Sequence, residues 1–427
     1  MSDKNIIVAE CISGEFEIYD GKAKKIIDKE EFKILKKKNL VTMLARKREK
    51  MTIEECYEFF NKSAEELLKE NKMINLYKSC SFADSAQFYW KIMLKNKNII
   101  TEPMTKLEEN ILKEIKSSII FSDKNYKGCG YKYDIVSSYS SIMQDAKFLV
   151  PCRKPKELTI KKLVEATYQF GERTYLKYGL YHCKISQTNV EKTDRLFKFQ
   201  DNDWYTSIDI ELAKLLKLKL KMIDDGKSNL LFYGRDIGGK SSIETGKTIF
   251  AEYVHKIFDL KEKRITGAKN LLTCLWGIFC QKNTRIVKDN KKNKEINKCL
   301  PCNDGTTAFS IEQEQLYKSP FARFVPFLYA QGRFNLITKL LKYKEHIVYA
   351  HTDGFISKVK LDIQCGANLG DLRYEGYIKD VYVINSNDVR GVKNIIKNEK
   401  EDKEAKEWAE SEKEFYQRFI KPKNSKK

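Results

Sequence analysis

The sequence predicts an α+β fold, and three observations carry the prediction. Short segments of alternating polarity, such as residues 131–135 and 178–185, have the two-residue period of half-buried strands. Charged amphipathic stretches of helical period, such as residues 53–71, stand before and between them. The chain has 427 residues, 42% of them hydrophobic, which suits two or three compact units with buried cores.

Taken in order, residues 1–120 read as a mainly helical region that opens on a hairpin. Its first strand is Glu-Phe-Glu-Ile-Tyr from Glu15, and Asp20-Gly21 supplies the turn. Strands and helices alternate through residues 121–200. The block 201–285 ends in apolar side chains at helical spacing. Residues 282–302 are highly charged with few apolar side chains, which predicts an exposed loop or long hairpin, part of an insertion at 286–320. Residues 321–398 return to short strands around 347–356. Residues 399–427 carry a Glu/Lys helix pattern ending in a basic tail.

Lys and Arg total 80 against 59 Asp and Glu, a formal charge of +21. Such an excess favours a polyanionic partner, because neutralising phosphates releases condensed counterions. Eleven cysteines, odd in number and scattered, do not resemble a disulfide framework. Cys299 and Cys302 make a single CxxC with no second pair at zinc spacing, so they read as free thiols. No apolar run approaches the roughly 18 residues needed to span a bilayer, and no signal-peptide pattern opens the chain. The expectation is a soluble, intracellular protein with no membrane partner.

Three segments carry candidate chemistry. In the first, Tyr133-Asp134 closes a strand and Ser137 or Ser138 can cap the helix that follows, with Tyr139 inside it. A carboxylate at a strand end beside free backbone N–H groups suits a divalent cation carrying a triphosphate. In the second, residues 269–277, Lys269, Thr273 and Trp276 share one helical face, and Leu271, Leu275 and Ile278 lie opposite. In the third, residues 347–356, two short apolar strands flank a turn to which Asp353-Gly354 lends flexibility. That places a second carboxylate at a hairpin tip, where it can meet Asp134. Each segment alone is ordinary: a helix cap, an amphipathic helix, a turn aspartate.

In order and spacing, the three resemble motifs A, B and C of family B DNA polymerases. Those read Asp-x-x-Ser-Leu-Tyr-Pro, Lys-x-x-x-Asn-Ser-x-Tyr-Gly and Tyr-x-Asp-Thr-Asp-Ser. Asp134, Ser137 and Tyr139 match the first; Lys269 and Gly277 the second; Tyr349, Thr352 and Asp353 the third. Thr273, Cys274 and Trp276 stand at the Asn, Ser and Tyr positions of motif B, while His351 and Gly354 replace an Asp and a Ser of motif C. Residues 331–337 also resemble the helix that precedes motif C. The resemblance covers roughly residues 126–390.

It implies a right-hand fold, with palm in residues 121–200 and 321–398, helical fingers in 201–285 and a reduced thumb. Asp134 and Asp353 would bind two magnesium ions, or manganese, for phosphoryl transfer from dNTPs to a primer 3′ end. Lys269 would grip the triphosphate, assisted by Lys261 or Arg264 from the preceding turn. Tyr139 would exclude ribose, and Ser137, Ser138, Thr273 and Trp276 would complete the nucleotide pocket. Tyr349 and His351 would stand just outside the metal ligands. The room between motifs B and C implies the protein-primed viral and plasmid branch, with a terminal protein as primer beside the DNA template. A viral origin would place the protein in host cytoplasm or nucleus. No Asp-x-Glu strand of a proofreading exonuclease occurs, and no clear Lys-x-Tyr primer grip follows Gly376. His351 and the altered motif B leave open a catalytically impaired, DNA-binding or scaffold palm. A two-carboxylate nuclease explains neither Tyr139 nor Lys269.

Overall fold

A computed structural model describes residues 7–12, 15–37, 41–43, 52–115, 120–187, 194–234, 241–287, 296–301, 307–385, 388–391 and 395–396. The chain divides into two compact units, and neither is a continuous stretch. One comprises Met1–Lys113, Tyr139–Lys156 and Tyr233–Val325; the other comprises Glu114–Ser138, Glu157–Phe232 and Pro326–Lys427. Helices and mainly antiparallel sheets occur in both, which is the α+β class the periodicities predict.

The second unit holds the carboxylates. Its largest sheet has seven strands, built around Tyr126–Ile135. On one side lies the hairpin Ile347–His351 and Gly354–Ser357, then Ile120–Ser122; on the other lies the long strand Leu372–Asn385. Strand alternation divides the central strand's side chains. Tyr131, Tyr133 and Ile135 enter a core with Phe355, Leu336, Ile337 and Leu340, the last three from helix Val325–Leu340. Lys132 and Asp134, one residue out of phase, belong to the opposite face. The same core continues under a five-stranded sheet that includes Gly179–Ser186. Arg333, from the segment resembling the helix before motif C, is buried and ion-paired to Asp209 at 2.7 Å. Asp209 also closes the capping box of helix Ser207–Leu215, so one carboxylate ties two helices.

In the first unit, helices Phe82–Leu94, Gly246–Glu262 and Ala268–Phe279 pack through Trp90, Phe250 and Phe279. Glu108 and Arg323 lie buried beside them. Arg323 Nε donates to Glu108 Oε1 at 2.9 Å and Nη2 to Oε2 at 3.2 Å, and the remaining donors reach the carbonyls of Glu102, Pro103 and Cys152.

Three sequence expectations change. Residues 1–120 contain a four-stranded sheet beside their helices, because Val8, Ala9, Phe16, Ile18 and Ile27 need a common apolar cover. Residues 282–302 are not a loop or simple hairpin: strands Lys282–Val287 and Ile296–Pro301 both pair with Thr307–Tyr317, which lies between them. The hairpin turn of motif C is Thr352-Asp353, with Gly354 already paired opposite His351. The basic tail and helix pattern at 399–427 lie outside the described residues, as does Cys302. Among the described residues, all eight cysteines identified are free thiols, and no helix is long and apolar enough to cross a membrane.

Candidate active site

Asp134 and Asp353 are brought together by sheet pairing. Gly354 pairs with Asp134, and Ile135 N–H donates to the Asp353 carbonyl at 3.0 Å, which fixes the hairpin tip against the end of the central strand. Across the sheet, His351 pairs with Gly354, Gly354 with Asp134, and Asp134 with Arg373. Paired residues share a face, so these four form one rung. Gly354 keeps that rung open. A Cβ there would lie 3.2 Å from Asp134 Oδ1 and 3.2 Å from the Tyr133 carbonyl. A side chain at this position would displace the Asp134 carboxylate or the Tyr133 carbonyl by a few tenths of an ångström.

The backbone on either side of the carboxylates is left-handed at residues that rarely adopt it. Ser137 has φ 49° and Thr352 has φ 58°; for a β-branched residue this is an outlier costing about 1–3 kcal/mol. The first directs the chain from Asp134 into helix Ser138–Met143, and the second makes the tight turn that presents Asp353.

Sequence reasoning missed the charges around Asp134. Glu375 occupies a bulge in the long strand, between the pairs Tyr374–Tyr133 and Gly376–Lys132. It lies 2.8 Å from Lys132 Nζ and accepts from Arg373 Nη2 at 3.0 Å, while Arg373 stands 3.8 Å from Asp134. Alternation from Arg373 puts Glu375 on this face; the cross-strand register that sets Arg373 opposite Asp134 joins segments far apart in the chain, which a local period does not specify. Burial, then the negative charges of Asp353 and Glu375, outweigh Arg373 and Lys132 and push the Asp134 carboxyl up to about 6. Burial also opposes the charge on Glu375, but Lys132 and Arg373 prevail and hold its pKa below the usual value.

The remaining motif residues are distributed as follows. Ser138 is buried at the start of its helix, and Tyr139 is half-buried in the next position. Tyr139 belongs to the first unit, where its ring meets Trp276 with centroids 5.0 Å apart. In helix Ala268–Phe279, Leu271, Leu275 and Ile278 are buried while Lys269 and Thr273 are exposed, the division that helical spacing predicts. The Thr273 hydroxyl donates back to the carbonyls of Lys269 and Asn270. Lys261 is not in a turn: it sits in the last turn of helix Gly246–Glu262, over the Phe258 ring at 4.8 Å. Arg264 is exposed in the connection to the next helix. His351 has its Nδ1 3.0 Å from the Thr352 hydroxyl and its ring stacked toward half-buried Tyr349. Lys269, Tyr139 and Trp276 lie in the first unit; Asp134, Asp353, His351, Tyr349, Ser137 and Ser138 lie in the second.

Two neighbouring carboxylates, one of them raised by burial and by the other's charge, are the oxygen donor set that a hard divalent cation takes. Among the described residues, no group of three or more His, Cys, Asp or Glu converges on a single point, so Asp134 and Asp353 alone would anchor it.

Comparison with known proteins adds the fold. The chain is similar to Phi29 DNA polymerase complexed with primer-template DNA in a post-translocation binary complex, at 16% identity and TM-score 0.55, covering 87% of this chain and 69% of that one. The complex of the same polymerase with single-stranded DNA gives 16% identity, the same coverage and TM-score 0.53. Its ternary complex with primer-template DNA and incoming nucleotides gives 14% identity, 74% and 55% coverage and TM-score 0.50. No protein-family model and no curated protein matches the sequence. The chain therefore has a DNA-polymerase-like fold.

Proposed function

We propose that this chain is a template-directed DNA polymerase of family B type, of the protein-primed branch. The observation that carries the proposal is the juxtaposition of Asp134 and Asp353 at the end of an antiparallel sheet, in a chain with a DNA-polymerase-like fold. Primer-template DNA and dNTPs are its substrates, and a terminal protein is its primer. Asp134 and Asp353 would hold two magnesium ions, with manganese as substitute, and their donor set fits these cations. Bound there, the metals supply activation of the primer hydroxyl and neutralisation of the leaving pyrophosphate.

The chain's own residues perform the rest. Lys269 presents an exposed ammonium for the triphosphate, with Lys261 and Arg264 as accessory cations. The Tyr139 ring, braced by Trp276, closes the space that a ribose 2′-hydroxyl would need. The resemblance assigns Ser137, Ser138 and Thr273 to nucleotide binding. Gly354 keeps the Asp134 carboxylate free of steric pressure from the hairpin.

A second reading has its own support: a palm that binds DNA without catalysis. Arg373 already stands against Asp134, and His351 occupies a position where the resembled motif carries a carboxylate. Extension of a labelled primer separates the two. The polymerase reading expects wild-type incorporation of dNTPs with magnesium or manganese. It expects losses of at least about 100-fold in Asp134→Asn and in Asp353→Asn, with primer-template affinity retained. DNA binding without incorporation under either metal would establish the second reading. Incorporation near the wild-type rate in either variant would refute the site.

A further inference from the structure

Strands Thr167–Phe170 and Arg173–Leu176 form a hairpin that pairs with no other strand among the described residues. Gly171, with φ 59°, and Glu172 make its two-residue turn. The register sets Phe170 opposite Arg173 and Tyr168 opposite Tyr175. Alternation therefore collects Tyr168, Phe170, Arg173 and Tyr175 on one face. The other face carries Thr167, Gln169, Thr174 and Leu176, and Leu176 packs onto the core of the second unit. The hairpin is thus anchored at its base through Leu176; Gln169 and Thr174 are exposed as well, so both faces are open and the aromatic one is left uncovered.

That outward face is unusually exposed: Phe170 75%, Tyr168 50% and Tyr175 39%. The two tyrosine rings stack at 5.8 Å with planes 25° apart, and Arg173 is exposed among them. Exposed Lys161 and Lys162 precede the hairpin, and half-buried Lys177 follows it. A contiguous exposed aromatic face marks an interaction site. Four planar groups on one face, in the cross-strand pairs Phe170–Arg173 and Tyr168–Tyr175, match unpaired bases, whose π-faces stack on rings and on arginine while lysines meet the phosphates. The aligned bases of a duplex offer no such faces.

We propose that this face is a stacking platform for single-stranded nucleic acid, separate from the carboxylate pair. It goes beyond the polymerase reading and does not depend on catalysis. The test uses the full-length protein without nucleotide or divalent metal, so failure of incorporation and failure of the platform are distinct. Fluorescence anisotropy would measure binding to a labelled dT oligonucleotide and to a duplex of equal length. The Tyr168→Ala, Phe170→Ala, Tyr175→Ala triple variant is expected to weaken oligo-dT binding about 10-fold or more, with duplex binding changed less than about twofold. Lys162→Gln should make the single-strand salt slope shallower by about 0.7. Phe170→Trp, which retains the ring, should keep affinity and show indole emission quenched by oligo-dT but not by duplex. Unchanged oligo-dT affinity in the triple variant, equal losses for both DNAs, or an indole insensitive to oligo-dT would overturn the proposal. So would a concentration-dependent dimer that the triple variant abolishes, which would assign the face to a second copy of the chain.

Discussion

At the scale of single residues, the charge state of Asp134 links stability to pH. Its folded pKa of about 6 lies above the ordinary 3.8, so the folded chain binds this proton more tightly than the unfolded chain. The resulting stabilisation is fully present below pH 3.8 and is lost as pH rises through 6. With the side chain 31% exposed, solvent screening limits the effect to about 1–2 kcal/mol. Asp134→Asn should therefore melt higher than wild type in metal-free buffer above pH 6, with the gap closing toward pH 4. Thermal melts across that range, in chelator, check this; a gap that is constant with pH would place the raised pKa elsewhere. Tyr139 is the second residue whose role can be isolated. Tyr139→Ala should reduce the preference for dNTP over rNTP by about 10-fold or more, measured as the ratio of kcat/KM values. Trp276→Ala should move the ratio in the same direction, because it removes the ring against which Tyr139 rests. If the ratio stays constant in an active Tyr139→Ala enzyme, the residue is a packing aromatic only.

Among elements, the decisive feature is a buried pair that joins remote segments. Arg323 and Glu108 are both fully buried, and Glu108 also accepts from Tyr233 and from the backbone of Thr105. Removing the guanidinium leaves a buried carboxylate without its cation, and takes one donor or more from the carbonyls of Glu102, Pro103 and Cys152. Arg323→Met should cost about 3–5 kcal/mol in chemical denaturation, and adding Glu108→Gln should recover part of it. A loss below about 1 kcal/mol would show that water reaches the pair. The rung His351–Gly354–Asp134–Arg373 depends in the same way on strand register: a slip of one residue would send Asp134 into the tyrosine core.

For the whole molecule, the formal charge of +21 should dominate the salt dependence of DNA binding. Each duplex phosphate neutralised contributes a slope of about −0.9 in log K against log salt. Replacing Lys288, Lys291, Lys292 and Lys294 by Gln keeps strands Lys282–Val287 and Ile296–Pro301 intact while removing four charges between them. The slope is expected to become shallower by about one or more, and titrations at several salt concentrations would read it. An unaltered slope would exclude these lysines from DNA contact.

Much of this was present in the order of the residues. The α+β class, the amphipathic division of Ala268–Phe279, the strand ending near Asp134 and the hairpin presenting Asp353 all follow from local period and turn chemistry, which act over a few residues. Local period could not determine what depends on pairing between distant strands. The pairing that sets Arg373 opposite Asp134, the close approach at Gly354 and the uncovered aromatic face of the 167–176 hairpin are set by register and by which segments find a core. The sequence by itself determined which side chains are the candidates for chemistry. Tertiary structure decided their neighbours, because a carboxylate's charge state and a ring's exposure depend on contacts between residues far apart in the chain.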